Sequence, residues 1–592
     1  MRSVEPRAKG KVVEIDRRRF LGFCTASGLA GTLFPGALWA QARPAGEDRR
    51  EITLEAIAAA EEIAGLAFTE EEREQLARGL ERQVASYVEL RRLQLQNDVA
   101  PALVFDPAPP GIPVPPAGTE RLRLSRAPAP MLPSDEAEIA FLPVTALGRL
   151  LRAKAISSYE LTNLYLKRLE TYGPRLKCVV SLTGELALKQ AVRADQEIAA
   201  GKFRGPLHGI PWGAKDLFAT RDYKTTWGAA PYQNQVIYED ATVVKRLEQA
   251  GAVLVAKLAL GALAMGDYWF GGQTLCPWNL AAGSSGSSAG PGAATAAGLV
   301  GFAIGTETRG SIVSPSTRNG NSSLRPTFGR VSKHGAMALS WSMDKIGPMC
   351  RSVEDCALVF SAIHGADGRD PAARTVPFDW NGDRPVRELR AGFLDSGFSG
   401  EARGRDPAHD REVLRVLREE LGLDLIEVEL PEFPTGAMDF ILTAEAAAAF
   451  DELTLSGRDD LLTRQNRFAW PNTFRAARFI PAVEYIQANR ARTVYMRLLS
   501  EALRSVDVFV TPSFAGGVLG PTNLSGQPTV VVPNGFSEDG MPTSISFVGG
   551  LYQDNGALLL AHAYQQATDH HLRRPNLDVP AEAGEEEEQD GG

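Results

Sequence analysis

The chain contains 592 residues and carries a formal net charge of −9 at pH 7. A chain of this length can hold one large hydrophobic core together with additional segments. The acidic balance argues against nucleic-acid binding, because a protein that neutralises phosphates needs a basic surface. Beyond the N-terminal region, the sequence has no stretch apolar enough to predict a membrane span.

The N-terminus resembles a twin-arginine export signal. Asp16-Arg-Arg-Arg-Phe-Leu21 contains the arginine pair Arg17-Arg18, and a modest apolar stretch follows up to Trp39. Ala40-Gln41-Ala42 then offers a small-x-small cleavage site. We therefore assign residues 1–42 to an export signal and expect a periplasmic or otherwise exported bacterial protein. The alternative is a basic N-terminus that stays in the cytoplasm and leads into a disordered linker.

Residues 43–105 are predicted to form a helical N-terminal arm. Ala, Leu, Glu and Arg dominate this region and recur with helical periodicity. Thr69 and Glu72 have the spacing of a capping box, which predicts the start of the longer helix. The Pro-rich segment 106–135 predicts an extended linker. The acidic run near the end predicts a solvated, disordered tail over residues 578–592.

Helices and strands alternate through the middle of the chain, which predicts an α/β fold. One helical region has an internal capping box at Ser157 and Glu160, which predicts that a new helix starts there. The predicted helices are Val144–Tyr172 and Thr242–Gln249, and the predicted strands are Val179–Leu182, Ala252–Ala256, Arg390–Leu394 and Val506–Val510.

Two serine clusters with a small-residue segment between them occupy residues 283–311. The first cluster has too many glycines and serines for the interior of a helix or strand, so it predicts a tight loop. Ala293–Leu299 is helix-competent, and Val300–Ile304 is typical of a buried strand. The second cluster, which ends in Ser311, then follows the end of a strand, where α/β folds usually place their chemistry.

Two other interpretations of the serine loop compete with a structured catalytic role. The composition is typical of a flexible linker, but the apolar segments that flank the loop tightly argue against one. Gly286-Ser-Ser-Ala-Gly290 also fits the nucleophile elbow of α/β-hydrolase esterases, with Ser288 as nucleophile. That motif needs a strand directly before it, and Thr274–Ala282 predicts a poor strand because it contains a proline and an asparagine.

Several separated motifs together resemble the amidase signature family, and they occur in the order of that family. The resemblance runs from about Phe141 to Pro575 and extends to stand-alone bacterial amidases and to the A subunit of tRNA-dependent amidotransferases. It implies a catalytic domain over residues 136–577, built on a central mixed sheet with helices on both faces. The motifs are Gly209-Ile-Pro-Trp-Gly-Ala-Lys-Asp216, Pro277-Trp-Asn279, the serine loop, and Gly305-Thr-Glu-Thr-Arg-Gly-Ser-Ile312.

The resemblance implies a Ser-cisSer-Lys hydrolase in which Ser311 is the nucleophile, Ser287 the bridging serine and Lys215 the base. Counting back from Ser311 and forward from Trp278 by the family spacing reaches Ser287 both times, which rejects Ser284. A lysine can act as a base only when it is neutral. Lowering its pKa from about 10.4 to about 7 costs the charged form roughly 4–5 kcal/mol. Burial can supply a shift of this size, and the apolar residues before Lys215 suit a desolvated amine.

The resemblance also places an oxyanion hole in the backbone N–H groups around Thr308, Arg309, Gly310 and Ser311. Arg309 stands where most members have glycine, and Glu307 stands where the pattern has aspartate. These departures bear on specificity and efficiency and leave the three catalytic candidates intact.

Residues 403–492 form an insert that is predicted to be helical, at the place where family members most often build their substrate pockets. Four arginines of the insert are candidates for holding a substrate carboxylate, although arginines on helices are more often surface residues. They are Arg475, Arg478, Arg490 and Arg492.

We therefore expect an amidase that hydrolyses a small-molecule carboxylic amide through an acyl-enzyme, without a cofactor, a metal or a nucleic-acid partner. The sequence leaves open whether the chain forms a homodimer. One alternative is a non-catalytic binding protein with an amidase fold, in which Arg309 obstructs the oxyanion loop. Another is a glutamine-hydrolysing amidotransferase subunit, which the predicted export signal argues against because tRNA is absent from the periplasm.

Overall fold

The computed structural model describes residues 52–92, 95–112, 114–115, 118, 120–128, 130–399, 406–515 and 517–577. The predicted export signal and the predicted acidic tail lie outside these residues. The described residues divide into two compact units, one with residues up to 95 and 450–479, the other with residues 96–449 and those from 480 onward. In the described part of the chain, no helix is both long and apolar enough to cross a membrane.

The first unit is helical, as the sequence predicts for the arm. Helices α1 (Leu54–Ala64) and α2 (Glu70–Arg91) are joined by an ion pair between Arg73 Nε and Glu61 Oε1 at 2.9 Å. The predicted capping box is present, because the Thr69 N–H donates to Glu72 and the Glu72 N–H donates to the Thr69 hydroxyl. The same unit contains two short helices from the predicted insert, Asp451–Leu455 and Trp470–Ala477.

The second unit is built on one mixed sheet, as expected. In the described residues this sheet has eleven strands, which are β2 (Val179–Leu182), β3 (Pro211–Lys215), β4 (Val253–Leu258), β9 (Phe302–Glu307), β10 (Ser322–Arg325), β11 (Lys345–Cys350), β13 (Ala391–Leu394), β14 (Ile426–Val428), β15 (Val508–Pro512), β16 (Thr529–Phe536) and β17 (Pro542–Gly549). Their order across the sheet is β14-β13-β15-β17-β16-β10-β11-β9-β3-β4-β2. The parallel pairs are β14 with β13, β13 with β15, β9 with β3 and β3 with β4, and the remaining neighbours are antiparallel.

Within the part of the chain that the structure describes, three small two-stranded ribbons accompany the main sheet. One of these ribbons takes a strand from the predicted linker, so part of that segment is paired in a β-ribbon. Another covers the segment before the serine loop, where the sequence predicted a poor strand, but its strands do not join the main sheet. The ribbons are β1 (Arg121–Arg123) with β12 (Asp379–Asn381), β5 (Tyr268–Trp269) with β6 (Gly272–Gln273), and β7 (Leu275–Cys276) with β8 (Asn279–Gly283).

Helices cover both faces of the sheet, and the predicted capping box at Ser157 and Glu160 starts the helix Ser158–Leu176. The predicted helical region 144–172 is thus two helices. The insert is helical apart from β14, which adds a parallel strand to the edge of the sheet. The helices are α3 (Glu136–Ala140), α4 (Val144–Arg152), α5 (Ser158–Leu176), α6 (Gly184–Ala199), α7 (Thr242–Gln249), α8 (Ala289–Ala296), α9 (Val313–Asn319), α10 (Val353–Ile363), α11 (Asp395–Ser399), α12 (Pro407–Arg415), α13 (Phe440–Ala449), α14 (Asp451–Leu455), α15 (Trp470–Ala477), α16 (Ala482–Ala502), α17 (Leu519–Ser525) and α18 (Asp554–Gln566).

Candidate active site

Lys215 ends β3, a strand that lies between parallel neighbours and is buried along its whole length. The apolar run that the sequence shows before Lys215 therefore forms the interior of the sheet, and the amine is fully buried with it. Burial lowers the pKa of Lys215 well below its ordinary value, although the carboxylates of Asp344 and Glu307 oppose this shift. The site thus favours the neutral amine that a general base requires.

Three hydroxyl groups surround the amine of Lys215. Its Nζ lies 2.8 Å from Ser287 Oγ, 2.9 Å from Ser288 Oγ and 2.8 Å from Thr306 Oγ1. A neutral amine has two N–H groups and one lone pair. It can therefore donate to two of these oxygens and accept a proton from the third.

The proton of Ser288 is already committed. Its hydroxyl donates to the backbone carbonyl of Thr306 at 3.0 Å and accepts the Thr306 N–H at 3.2 Å. The Ser288 oxygen can therefore only accept a hydrogen bond from Lys215. The hydroxyl of Ser287 remains able to donate its proton to the lone pair of the Lys215 amine. This arrangement disfavours the esterase interpretation, which needs the Ser288 hydroxyl as an activated nucleophile.

Ser287 lies in the tight loop that the sequence predicts between β8 and α8. The peptide bond between Gly286 and Ser287 is cis. A side chain at position 286 would meet the carbonyl oxygen of Gly266 at 1.9 Å, so only glycine fits there. The hydroxyl of Ser284, the rejected candidate, donates to the carbonyl of Ser285 instead.

Ser311 follows β9 through the loop of residues 308–310 and is half-buried. Its carbonyl oxygen accepts the Ser288 N–H at 3.2 Å, which ties the two serine clusters together. Directly after Ser311, the N–H groups of Ile312 and Val313 both donate to Glu307 Oε2 at 2.8 Å. The structure therefore brings the loop of Ser311 next to the serine loop that holds Ser287 and contacts Lys215.

The carboxylate of Glu307 also accepts hydrogen bonds from two buried side chains. Arg325 Nη1 and Asn523 Nδ2 each donate to its second carboxylate oxygen at 2.8 Å. Burial raises the pKa of Glu307, but the charge and hydrogen bond of Arg325, the hydrogen bond from the Val313 N–H and nearby positive charge together lower it, so the pKa lies below its ordinary value. Glu307 is therefore a carboxylate that anchors the backbone on the C-terminal side of Ser311.

The candidate oxyanion residues Thr308, Arg309 and Gly310 form one short loop. The Thr308 hydroxyl donates to Asp344 Oδ1 at 2.6 Å. Gly310 has a φ of 112°, a conformation that favours glycine. The side chain of Arg309 pairs with Asp439, Nη1 to Oδ2 at 2.6 Å.

The four arginines proposed from the insert make other contacts. Arg475 pairs with Asp459 and Asp460, Arg478 with Asp451, and Arg490 donates to Gln487. Arg492 is fully buried and donates to the backbone carbonyls of Leu524 and Ser342. Arg492 is therefore a structural group, and none of these contacts supports the idea that the four arginines hold a substrate carboxylate.

Sequence reasoning missed Thr306 and Asp344. Thr306 contacts the lysine, and both residues line a cavity of about 80 Å³ beside the catalytic candidates. Leu217, Ala264 and Met337 give this cavity an apolar wall. The only sequence signal for Thr306 is its place beside Glu307 in the motif that ends in Ser311.

A model of the amidase family matches residues 160–519 of the chain. The A subunit of the glutamyl-tRNA(Gln) amidotransferase of Halorhodospira halophila (strain DSM 244 / SL1) is 35% identical over 484 residues, covering 73% of this chain and 98% of the relative. The corresponding protein of Coxiella burnetii (strain RSA 493 / Nine Mile phase I) is 32% identical over 481 residues, covering 73% and 99%. Among solved structures, the native peptide amidase from Stenotrophomonas maltophilia superposes with a TM-score of 0.66 at 30% identity, covering 74% and 99%.

Proposed function

This chain belongs to the amidase family and is an amide-hydrolysing enzyme, and we propose that it works through an acyl-enzyme on Ser311, with Ser287 and Lys215 as the proton relay. The observation that carries the proposal is the buried contact between Lys215 Nζ and Ser287 Oγ at 2.8 Å. The commitment of the Ser288 proton to Thr306 supports Ser287 as the relay.

In the first step, Ser311 Oγ attacks the amide carbonyl carbon. Its proton passes to Ser287, and the proton of Ser287 passes to the lone pair of Lys215. The carbonyl oxygen becomes an oxyanion, which the backbone N–H groups of residues 308–311 stabilise. Removal of one such donor from a hydrolase typically costs about 10²–10³ in kcat.

In the second step, the C–N bond breaks and the relay returns the proton to the leaving nitrogen, so that an amine or ammonia departs. A water molecule then attacks the carbonyl carbon of the acyl-enzyme and gives one proton to the same relay. As the C–O bond to Ser311 breaks, the relay returns this proton to Ser311 Oγ, and the carboxylic acid departs. Lys215 is neutral at the start and at the end of each half-reaction. Because burial favours the neutral amine, the fully buried position of Lys215 suits both acylation and deacylation.

We propose a small-molecule amide as substrate. The similar solved structure is named as a peptide amidase, and the similar sequences are named as glutamyl-tRNA(Gln) amidotransferase subunits. These names suggest two substrate classes, which are a peptide or other small amide and free glutamine. The two classes are separated by measuring ammonia release from a peptide C-terminal amide, from simple aliphatic and aromatic amides, and from glutamine. Turnover of glutamine alone, increased by an amidotransferase partner, would favour the amidotransferase alternative.

A fluorophosphonate probe tests the nucleophile. We expect it to label the wild-type protein and to leave Ser311→Ala unlabelled, and amide turnover should be lost in the same variant. Labelling that persists at an unchanged rate in Ser311→Ala would refute the assignment. A protein that neither turns over the amide panel nor reacts with the probe would be the non-catalytic alternative.

We also propose that the protein is exported, on the strength of Arg17-Arg18 and the apolar stretch after them. Replacing both arginines with lysine should retain the protein in the cytoplasm of a bacterial host that has the twin-arginine pathway. An equal periplasmic fraction in wild type and variant would refute export by this route.

A further inference from the structure

Arg309 stands in the middle of the loop whose backbone N–H groups are proposed to hold the oxyanion. Its guanidinium pairs with Asp439, and the two side chains are 40% and 36% exposed. The guanidinium lies beside Gly520, where a Cβ would make ordinary van der Waals contact with Arg309 Nη2 at 3.5 Å. The ion pair is thus reachable by solvent and lies two residues from the proposed nucleophile.

Asp439 directly precedes helix α13 of the insert. This helix is also fixed to the core by Glu445, whose carboxylate accepts the hydroxyls of Ser340 and Ser342 at 2.6 and 2.7 Å and the Ser342 N–H at 3.0 Å. Glu445 is buried. The start of α13 is therefore positioned by the segment that contains residues 340–342.

The same segment holds the other side of the oxyanion loop. Asp344 Oδ2 accepts the N–H groups of Leu339 and Ser340, and Asp344 Oδ1 accepts the hydroxyl of Thr308 at 2.6 Å. The contacts close a ring, which runs from Thr308 through Asp344 to Ser340, through Glu445 to α13, and back through Asp439 to Arg309. Apart from the ion pair between Arg309 and Asp439, the side-chain contacts of this ring are hydrogen bonds to carboxylates. The carboxylate of Asp344 is half-buried, and that of Glu445 is buried.

We propose that Arg309 is a positioning residue, and that its ion pair with Asp439 closes this ring and holds the oxyanion loop in its working geometry. The inference rests on the proposed role of Ser311. Arg309 acts through the backbone of its own loop rather than by touching the substrate. An exposed ion pair adds little to global stability, whereas a small displacement of oxyanion donors has a large effect on rate.

The experiment measures kcat and KM separately for Arg309→Met, Asp439→Asn, the double variant and Arg309→Lys. We expect kcat to fall about 10–100-fold in each single variant, with KM changed by less than about threefold, because the ground state does not use the oxyanion hole. The double variant should be no worse than either single variant, since both remove the same contact. Arg309→Lys keeps the charge and should recover most of kcat.

Ionic strength supplies a second readout. The screening length falls from about 10 Å at 0.1 M salt to about 3 Å at 1 M, so kcat of the wild type should decline towards that of Arg309→Met, while the variant should be nearly insensitive to salt. The matched control is Arg374→Met. Arg374 pairs with Asp106 at the same 2.6 Å and similar exposure, 42% for each side chain, and the substitution should leave kcat unchanged.

Unchanged kcat in Arg309→Met overturns the proposal, and so do additive losses in the double variant. A rise in KM with kcat preserved also overturns it, because that result assigns Arg309 to substrate binding. Thermal unfolding of every variant excludes misfolding as the cause of a loss. Failure of the underlying function is seen separately, because Ser311→Ala would then retain turnover whatever Arg309 does.

Discussion

The hydroxyl of Ser288 and the backbone of Thr306 form a closed pair, in which the hydroxyl donates to the carbonyl oxygen and accepts the N–H. This pair lies against the amine of Lys215, and it distinguishes two serines that are adjacent in the sequence and equally near the lysine. The proton of Ser288 is held by the Thr306 carbonyl, whereas the Lys215 amine can take the proton of Ser287.

Exchanging each serine for alanine should separate the two roles. Ser287→Ala should lower kcat about 10²–10⁴-fold, the range of general acid–base contributions, with little change in stability. Ser288→Ala should retain more of the activity and lose about 1–3 kcal/mol of unfolding free energy, because it removes the hydroxyl that pairs with the buried Thr306 N–H and carbonyl. Steady-state kinetics and denaturant unfolding of both variants measure this, and the opposite pattern would assign the relay to Ser288.

The pH profile should report the titration of Lys215. Because burial holds the pKa of Lys215 well below its ordinary value, kcat/KM should rise with pH along a limb whose midpoint lies well below about 10.4. Lys215→Arg cannot lose its proton and should be inactive throughout the profile. A limb at the position of a free lysine, or an unchanged profile in Lys215→Met, would exclude Lys215 as the base.

The same shift has a consequence for stability. With its folded pKa depressed, Lys215 binds fewer protons in the folded than in the unfolded state between the two pKa values, so its contribution to stability rises with pH through that window. Below the folded pKa, the penalty for charging the buried amine is fully present. Lys215→Met should therefore raise the Tm near neutral pH, and the gain should shrink as the pH approaches the unfolded pKa. A Tm difference that is independent of pH would contradict this.

Glu307 and Arg325 form a fully buried ion pair behind the nucleophile. Glu307→Gln leaves the guanidinium uncompensated and should cost about 3–5 kcal/mol of unfolding free energy. Because the pKa of Glu307 lies below its ordinary value, this stabilisation is present above the unfolded pKa and is lost as the pH falls through the folded one. Glu388→Gln, which removes the exposed partner of Arg384, is the control and should cost at most about 1 kcal/mol. Equal losses in the two variants would show that the buried pair has no special role.

Elements whose local sequence signals agree with their tertiary surroundings can be predicted from the amino-acid sequence alone. The helix Thr242–Gln249 and the strand Val179–Leu182 have the predicted bounds, and both capping boxes start the helices that their spacing predicts. The family, the α/β fold and amide hydrolysis also follow from motifs that can be read along the chain. These features depend on short-range periodicity and on residue order, which the sequence carries directly.

The amino-acid sequence does not reveal which of the neighbouring serines, Ser287 or Ser288, has a free proton. That depends on the backbone of β9, which folding brings against the serine loop. The same holds for the role of Arg492, which sequence reasoning treated as a candidate for substrate binding and which lies buried on backbone carbonyls. It also holds for the pairing of Arg309 with Asp439. A charged or hydroxyl side chain has no fixed partner in the sequence, and its chemistry is set by the donors and acceptors that folding brings within about 3 Å of it.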